Sequence, residues 1–161
     1  MLQYECEKDL GVHFDKSLRF DHHINTIINK ANRTLGIVRK TFDYMNKDTF
    51  CQIFKGLIRP HLEYAAPVWS PHLIKYKEAI ENVQRRATKM VPGLANLSYA
   101  DRLKLLKLPT LAYRRVRGDM INVFKIIYGG FDEGIRDILP INASNLRGHD
   151  KNYILRVQIK T

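Results

Sequence analysis

The stretch HHINTIINKANRTLGIVRKT, His22 to Thr41, decides the fold class. Ile24, Ile27, Ile28, Ala31, Leu35 and Val38 recur at the steps that place residues on one face of an α-helix. Arg33 and Lys40 fall away from that stripe, and Asp21 stands where an N-cap belongs. A long one-sided helix has to bury its stripe against other elements, so the flanking sequence is expected to supply further helices.

Toward the N-terminus, KDLGVHF, Lys8 to Phe14, reads as a short strand or hairpin arm, with Gly11 open to a bulge or a close backbone approach. Toward the C-terminus, a second helix starts near Asn46 to Asp48 and buries Phe50, Ile53, Phe54, Leu57 and Ile58. Pro60 is expected to kink or end it, and Pro67 and Pro71 to impose an irregular or extended passage around Trp69. A third helix spans about Lys75 to Met90, with Ile80, Val83, Ala87 and Met90 inward and a Glu81–Arg85 pair along its surface. Pro92-Gly93 stops it. Ser98 and Asp101 open a short helix, Tyr99 to Lys107, whose core residues are Leu103 and Leu106. A fifth helix runs from about Leu111 to Tyr128, burying Met120, Phe124 and Ile127, with Gly118 suited to a close neighbour. Asp132 to Leu139 reads as one or two further turns, and Ile154 to Ile159 as an orphan strand or a disordered end.

The chain carries 27 Lys and Arg against 16 Asp and Glu, a net charge of +11. The window Lys75–Lys125 holds twelve basic and four acidic residues, so it accounts for +8 of that excess, whereas residues 1–15 are net −3. Localised positive charge suits a polyanionic partner better than uniform basicity does. Arg85, Arg86 and Lys89 are expected on the exposed side of the third helix. Arg114, Arg115 and Arg117 lie on the first turns of the fifth, with Arg102, Lys104 and Lys107 between. Guanidinium forks match phosphate oxygens in bidentate fashion, so these side chains are the candidate phosphate contacts. The competing reading is a solvated face with internal salt bridges, in which Arg117 pairs with Glu63 or Asp119. Trp69, Tyr64 and Tyr99 could stack on bases, although Trp69, flanked by Leu62 and Val68, reads more readily as a core plug.

Other chemistries find no motif. There is no nucleophile elbow, P-loop or dinucleotide fingerprint, and the carboxylates are scattered. His22 and His23 are adjacent, while His61, His72 and His149 are isolated, so no metal site and no cofactor are expected. Cys6 and Cys51 read as reduced thiols of an intracellular protein, nuclear or cytoplasmic. The charged N-terminus is unlike a signal peptide, no apolar run reaches the ~20 residues of a membrane span, and no membrane partner is expected. The sequons at Asn32, Asn96 and Asn142 are taken as chance matches.

Blocks in a fixed order along the chain carry a family resemblance. KDLGVHFDKSLRFDHHINTIINKANRTLGIVRKTF (Lys8–Phe42) resembles the segment that follows the palm of non-LTR retrotransposon (LINE-type) endonuclease–reverse transcriptases. LIRPHLEYAAPVWSPH (Leu57–His72) resembles the next signature of those enzymes. ENVQRRATKMVPGL (Glu81–Leu94) and LSYADRLKLLKLPTLAYRRVRGDMINVFKII (Leu97–Ile127) continue it in order, and NLRGHD (Asn145–Asp150) resembles a later element.

The resemblance implies a mainly α fold, a helical thumb-like bundle of about five helices with a short N-terminal β segment and an irregular C-terminal tail. Residues 1–20 would be a hairpin remnant leading out of the palm, 21–94 the thumb helices, 95–139 the connector helices and 140–161 the tail. Leu10-Gly11-Val12 would belong to the hairpin beside the primer end. Arg85, Arg86, Lys89, Arg114 and Arg115 would lie on the nucleic-acid side or in the shell behind it, holding the backbone of an RNA/DNA hybrid or duplex.

The family's paired catalytic aspartates, fingers, palm and endonuclease have no counterpart in the 161 residues, nor does the aromatic-rich segment after the RGH element. The expectation is therefore a truncated element copy, or a gene model built on one, whose reading frame begins inside an ancestral one. Such a chain binds but does not polymerise, and the divalent metal of the parent enzyme belongs to the missing palm. The alternative is a non-catalytic interaction protein or inert remnant that self-associates through an exposed patch of Phe50, Phe54, Trp69 and Tyr64. A basic amphipathic helix on anionic membrane is the weaker third reading.

Overall fold

The computed structural model describes residues 6–128, 141–142 and 152–153. The chain is mainly helical behind a short β-hairpin, as expected. It forms two compact units, Met1–Arg117 and Gly118–Thr161.

The first unit begins with β1 (Cys6–Asp9) and β2 (Val12–Asp15), paired antiparallel with Cys6 opposite Asp15 and Lys8 opposite His13. Leu10 and Gly11 join them, both at positive φ, the geometry that matches strand twist in a two-residue hairpin turn. Gly11 at φ 85° is therefore a turn residue, and the bulge that sequence left open does not form. Asp15 ends the hairpin by accepting hydrogen bonds from the Ser17 hydroxyl and from the backbone N–H groups of Ser17, Arg19 and Phe20. These bonds hold its carboxyl below the usual carboxylate range.

The long helix α1 (Asp21–Thr41) follows, burying Ile24, Ile27, Ala31, Leu35 and Val38 as its periodicity requires. Asp21 is its first helical residue and not its cap; the cap position is Phe20, in left-handed conformation and without a side-chain bond. Asp21 acts instead as an acidic group in the first turn, where the helix dipole favours it. His23, unforeseen in the core, is buried beside Trp69, with ring centroids 5.3 Å apart. Its Nδ1 accepts from the backbone N–H of His13. Burial lowers its pKa to about 4, so it is neutral at ordinary pH.

The next segment, α2 (Lys47–Ile53), is capped by Asn46, whose side chain accepts from Thr49 N–H at 2.7 Å. It passes into a π-helical segment, Phe54–Ile58, and on into α3 (Arg59–Glu63). Pro60 explains the widening, because its ring crowds the preceding turn and it has no N–H to donate. Widening keeps Phe50, Phe54, Ile58 and Leu62 on one buried line. It also turns Leu57, expected inside, out to solvent.

The prolines beyond do not force an extended passage. A single turn, α4 (Ala66–Trp69), starts at a left-handed Ala65 with Pro67 in its first turn, where a missing N–H costs nothing. Trp69 is a core plug, and its Nε1 donates to Tyr64 O at 2.6 Å. Leu62 packs in the same core, whereas Val68 is exposed. Phe50, Phe54 and Trp69 are all fully buried, so the exposed patch expected of them does not exist; of the four, only Tyr64 is exposed.

α5 (Ile74–Thr88) buries Ile80, Val83 and Ala87. α6 (Tyr99–Leu106) is capped by Ser98, whose Oγ accepts from Asp101 N–H and donates to Asp101 Oδ2. Lys107, left-handed at φ 51°, ends α6 one residue earlier than expected. α7 (Leu111–Tyr128) has the expected bounds and runs across the boundary between the units. Within the second unit Met120 and Phe124, expected to be buried, are 61% and 60% exposed. Among the described residues no atom lies close enough to Gly118 to explain it by a near approach. The segments Ile141–Asn142 and Asn152–Tyr153 form a small antiparallel pair, β3 and β4, inside the stretch expected to be irregular. The expectations for the Ile127 side chain, the turns at 132–139, the element at 145–150 and the strand at 154–159 fall outside the described residues.

Candidate nucleic-acid interface

Helices α1 and α5 pack side by side through their apolar stripes, and their outer flanks form a groove. From α1 come Asn32, Gly36 and Arg39; from α5 and its C-cap come Arg86 and Lys89. This hollow measures about 730 Å³ and adjoins a second of about 560 Å³ that shares Arg86 and Lys89. The second adds Asn82, Arg85 and Arg102. Two turns of α5 thus deliver Asn82, Arg85, Arg86 and Lys89 to one flank, because residues three and four apart neighbour one another on a helix surface.

The partners of these cations are neutral. The Arg85 guanidinium lies 5.2 Å from the centroid of the Tyr99 ring, with Nη1 at 3.5 Å from Asn82 Oδ1. Arg86 Nε donates to Asn82 O at 3.4 Å. Among the described residues no acid stands within ion-pair distance of Arg39, Arg85, Arg86 or Lys89. Asp43 also borders the larger hollow, and it is the one carboxylate there. Beneath them Arg102, only 3% exposed, donates to Leu97 O at 3.2 Å and packs on Tyr99. Among the described residues its Nε has no hydrogen-bond partner. Cations set against amides and an aromatic ring keep charge to offer an anion, whereas cations fixed by carboxylates do not.

The arginines of α7 are placed differently. Arg114 makes a two-pronged bond to Glu63, Nε to Oε1 at 2.5 Å and Nη2 to Oε2 at 3.0 Å. Glu63 also lies 3.6 Å from Arg59, and its bond to Arg114 holds that guanidinium firmly protonated. Glu63 was foreseen as a salt-bridge acid, but for Arg117, which is exposed. Arg115 is 6% exposed. Arg114 is thus held by a carboxylate and Arg115 is buried, unlike the exposed cations of α5. Lys104 is exposed on α6 but lines neither hollow.

Glu81 is a further correction. It does not pair with Arg85 along α5. It is 7% exposed and accepts from the Tyr99 hydroxyl and from the N–H groups of Leu111 and Ala112 at 3.3 and 3.2 Å. A carboxylate bonded to the first N–H groups of α7 complements that helix's dipole. Burial, then the Glu81 bond, pushes the Tyr99 phenol up. Tyr99 is thereby held as a platform for Arg85 and Arg102 rather than free to stack on a base. Tyr64 donates to Leu10 O at 2.9 Å.

Sequence reasoning missed Arg39 and the interior position of Arg102. Arg39 lies one turn beyond Leu35 on α1, next to the buried Val38, and only the packing of α5 makes it face Arg86.

No protein-family model matches the chain, and no solved structure matches it. An uncharacterized protein of Caenorhabditis elegans is 24% identical over 126 residues, which cover 76% of this chain and 64% of that protein. The chain thus spans just under two thirds of that relative's length. Among the described residues no helix is long and apolar enough to cross a membrane.

Proposed function

We propose that this chain is the thumb-and-connector part of a reverse transcriptase of the non-LTR retrotransposon type, and that it holds the sugar–phosphate backbone of an RNA/DNA hybrid or duplex in the α1–α5 groove. The carrying observation is the set Arg39, Arg85, Arg86 and Lys89, gathered on one groove with no acid among the described residues paired to any of them. The ordered sequence blocks and the helix-behind-hairpin architecture support the family reading. Burial of Phe50, Phe54 and Trp69 removes the surface on which the self-association alternative rested.

The role is binding, not chemistry. Phosphate contacts position a strand without reading its sequence, so affinity follows charge and salt rather than base order. Four phosphate contacts lower affinity about a hundredfold between about 50 and 200 mM salt. Fluorescence anisotropy of the full chain on a labelled hybrid tests this. The expected result is a steep salt dependence that flattens in Arg86→Gln/Lys89→Gln. Binding that ignores salt, or a double variant that behaves as the parent, would defeat the proposal.

A further inference from the structure

Three metal-binding side chains meet at the opposite end of α1 from the groove. His22 precedes Arg39 by seventeen positions, about 25 Å along the helix axis. We propose that Cys6, His13 and His22 form a binding site for a borderline-soft divalent ion such as Zn²⁺, independent of any nucleic-acid role.

The hairpin register makes the site. Cys6 is opposite Asp15 and Lys8 opposite His13, so Cys6 and His13 stand diagonally on the same face of the ribbon. The hairpin then lies against the start of α1, where the rings of His13 and His22 approach edge to face at 4.8 Å. The Cys6 sulfur and one nitrogen from each histidine all lie within 4.8 Å of one another. Zinc bonds of roughly 2.0–2.3 Å set tetrahedral ligands about 3.5 Å apart. The remaining ångström or so is within reach of side-chain rotation, because Cys6 and His22 are exposed and His13 is half-buried.

The neighbours sort themselves into ligands and supports. His23 is excluded, since its Nδ1 accepts from His13 N–H and its Nε2 is buried. That same bond fixes the His13 backbone to α1, which is how a ligand on a strand is held to a ligand on a helix. The Asp15 carboxylate is committed to the turn that follows. Lys8 and Lys30 are the nearby cations and work against an added ion. One thiolate and two imidazoles leave a fourth position open to water, and this donor set selects zinc, cobalt or copper over magnesium or calcium. No sequence motif announced the site, because its ligands come from two strands and a helix.

The test titrates the metal-stripped full chain with Zn²⁺ and, separately, with Co²⁺. The expected result is one equivalent bound, with a sulfur-to-cobalt charge-transfer band that disappears in Cys6→Ser. Affinity should fall more than about a hundredfold in His22→Gln, since even outer partners of metal ligands are worth 10–100-fold. Cys51→Ser and His72→Gln should bind as the parent does. The unmutated chain supplies a second readout that no folding defect can confuse: Zn²⁺ should slow alkylation of Cys6 and leave Cys51 unchanged. Failure to take up an equivalent, uptake that survives both ligand substitutions, or unprotected Cys6 at saturating Zn²⁺ would each overturn the site.

Discussion

Arg85-Arg86 on α5 and Arg114-Arg115 on α7 are the same dipeptide, and in sequence they invite the same interpretation. The fold treats them oppositely. Both arginines of α5 stay exposed and lean on an aromatic ring, an amide and a carbonyl. Of the α7 pair, one is locked to Glu63 and the other is buried. What separates them is the acid each meets across the fold. α3 brings Glu63 to α7, while the acid nearest Arg85 on its own helix, Glu81, is turned inward onto the start of α7. Inward rotation of Glu81 thus has two effects: it anchors one arginine-bearing helix and leaves the other uncompensated.

The severest way to break the contrast is to remove that anchor. Glu81→Ala should cost about 3 kcal/mol, because two backbone N–H groups and a half-buried phenol lose their acceptor together. The midpoint of denaturant unfolding reads this directly, and Glu81→Gln should lose less because its amide oxygen still accepts. A Glu81→Ala chain as stable as the parent would mean that the carboxylate is not the cap of α7.

A smaller effect separates the two dipeptides by role. Arg114→Ala should lower stability by about 1–2 kcal/mol, the range for a partly exposed two-pronged pair, and leave the salt slope of nucleic-acid binding where it was. A double-mutant cycle with Glu63→Gln should show the coupling. If Arg114→Ala flattens the salt dependence instead, the α7 arginine belongs to the interface after all.

Smallest in stability and most diagnostic for binding is Arg86→Gln. Unfolding should shift by no more than about 0.5 kcal/mol, as expected for an exposed side chain. The logarithmic salt slope should become shallower by about 0.9, the signature of one lost phosphate contact. An unchanged slope would make the α5 arginines a solvated face, and the contrast with α7 would then be one of burial alone.

These outcomes bear on how far each part of the molecule could be read in advance. The α1 stripe was legible because its periodicity extends over most of six turns, and Ile24, Ala31 and Val38 all proved buried. Asn46 and Ser98 were legible as helix starts because a cap bonds within its own turn. Arg85, Arg86 and Lys89 were legible as exposed because they lie off their helix's apolar face. Leu57 and Val68 were misplaced because Pro60 and Pro67 were treated as breaks, whereas the chain absorbed the first by widening a turn and the second by starting one. Met120 and Phe124 were misplaced because an apolar period states which side of a helix would be buried, not whether anything covers it.

By itself, then, the sequence determined the helical class, the hairpin ahead of it, the caps at Asn46 and Ser98 and the localisation of positive charge, since each is set by residues within a few positions of one another. The tertiary structure alone decided which cations are neutralised, which are left facing the groove, and that Cys6, His13 and His22 converge. Glu63 and Arg114 are 51 positions apart. Interactions of that kind depend on where packing carries two distant side chains, and over a few ångströms the strength of a charge pair or a metal bond changes from decisive to negligible.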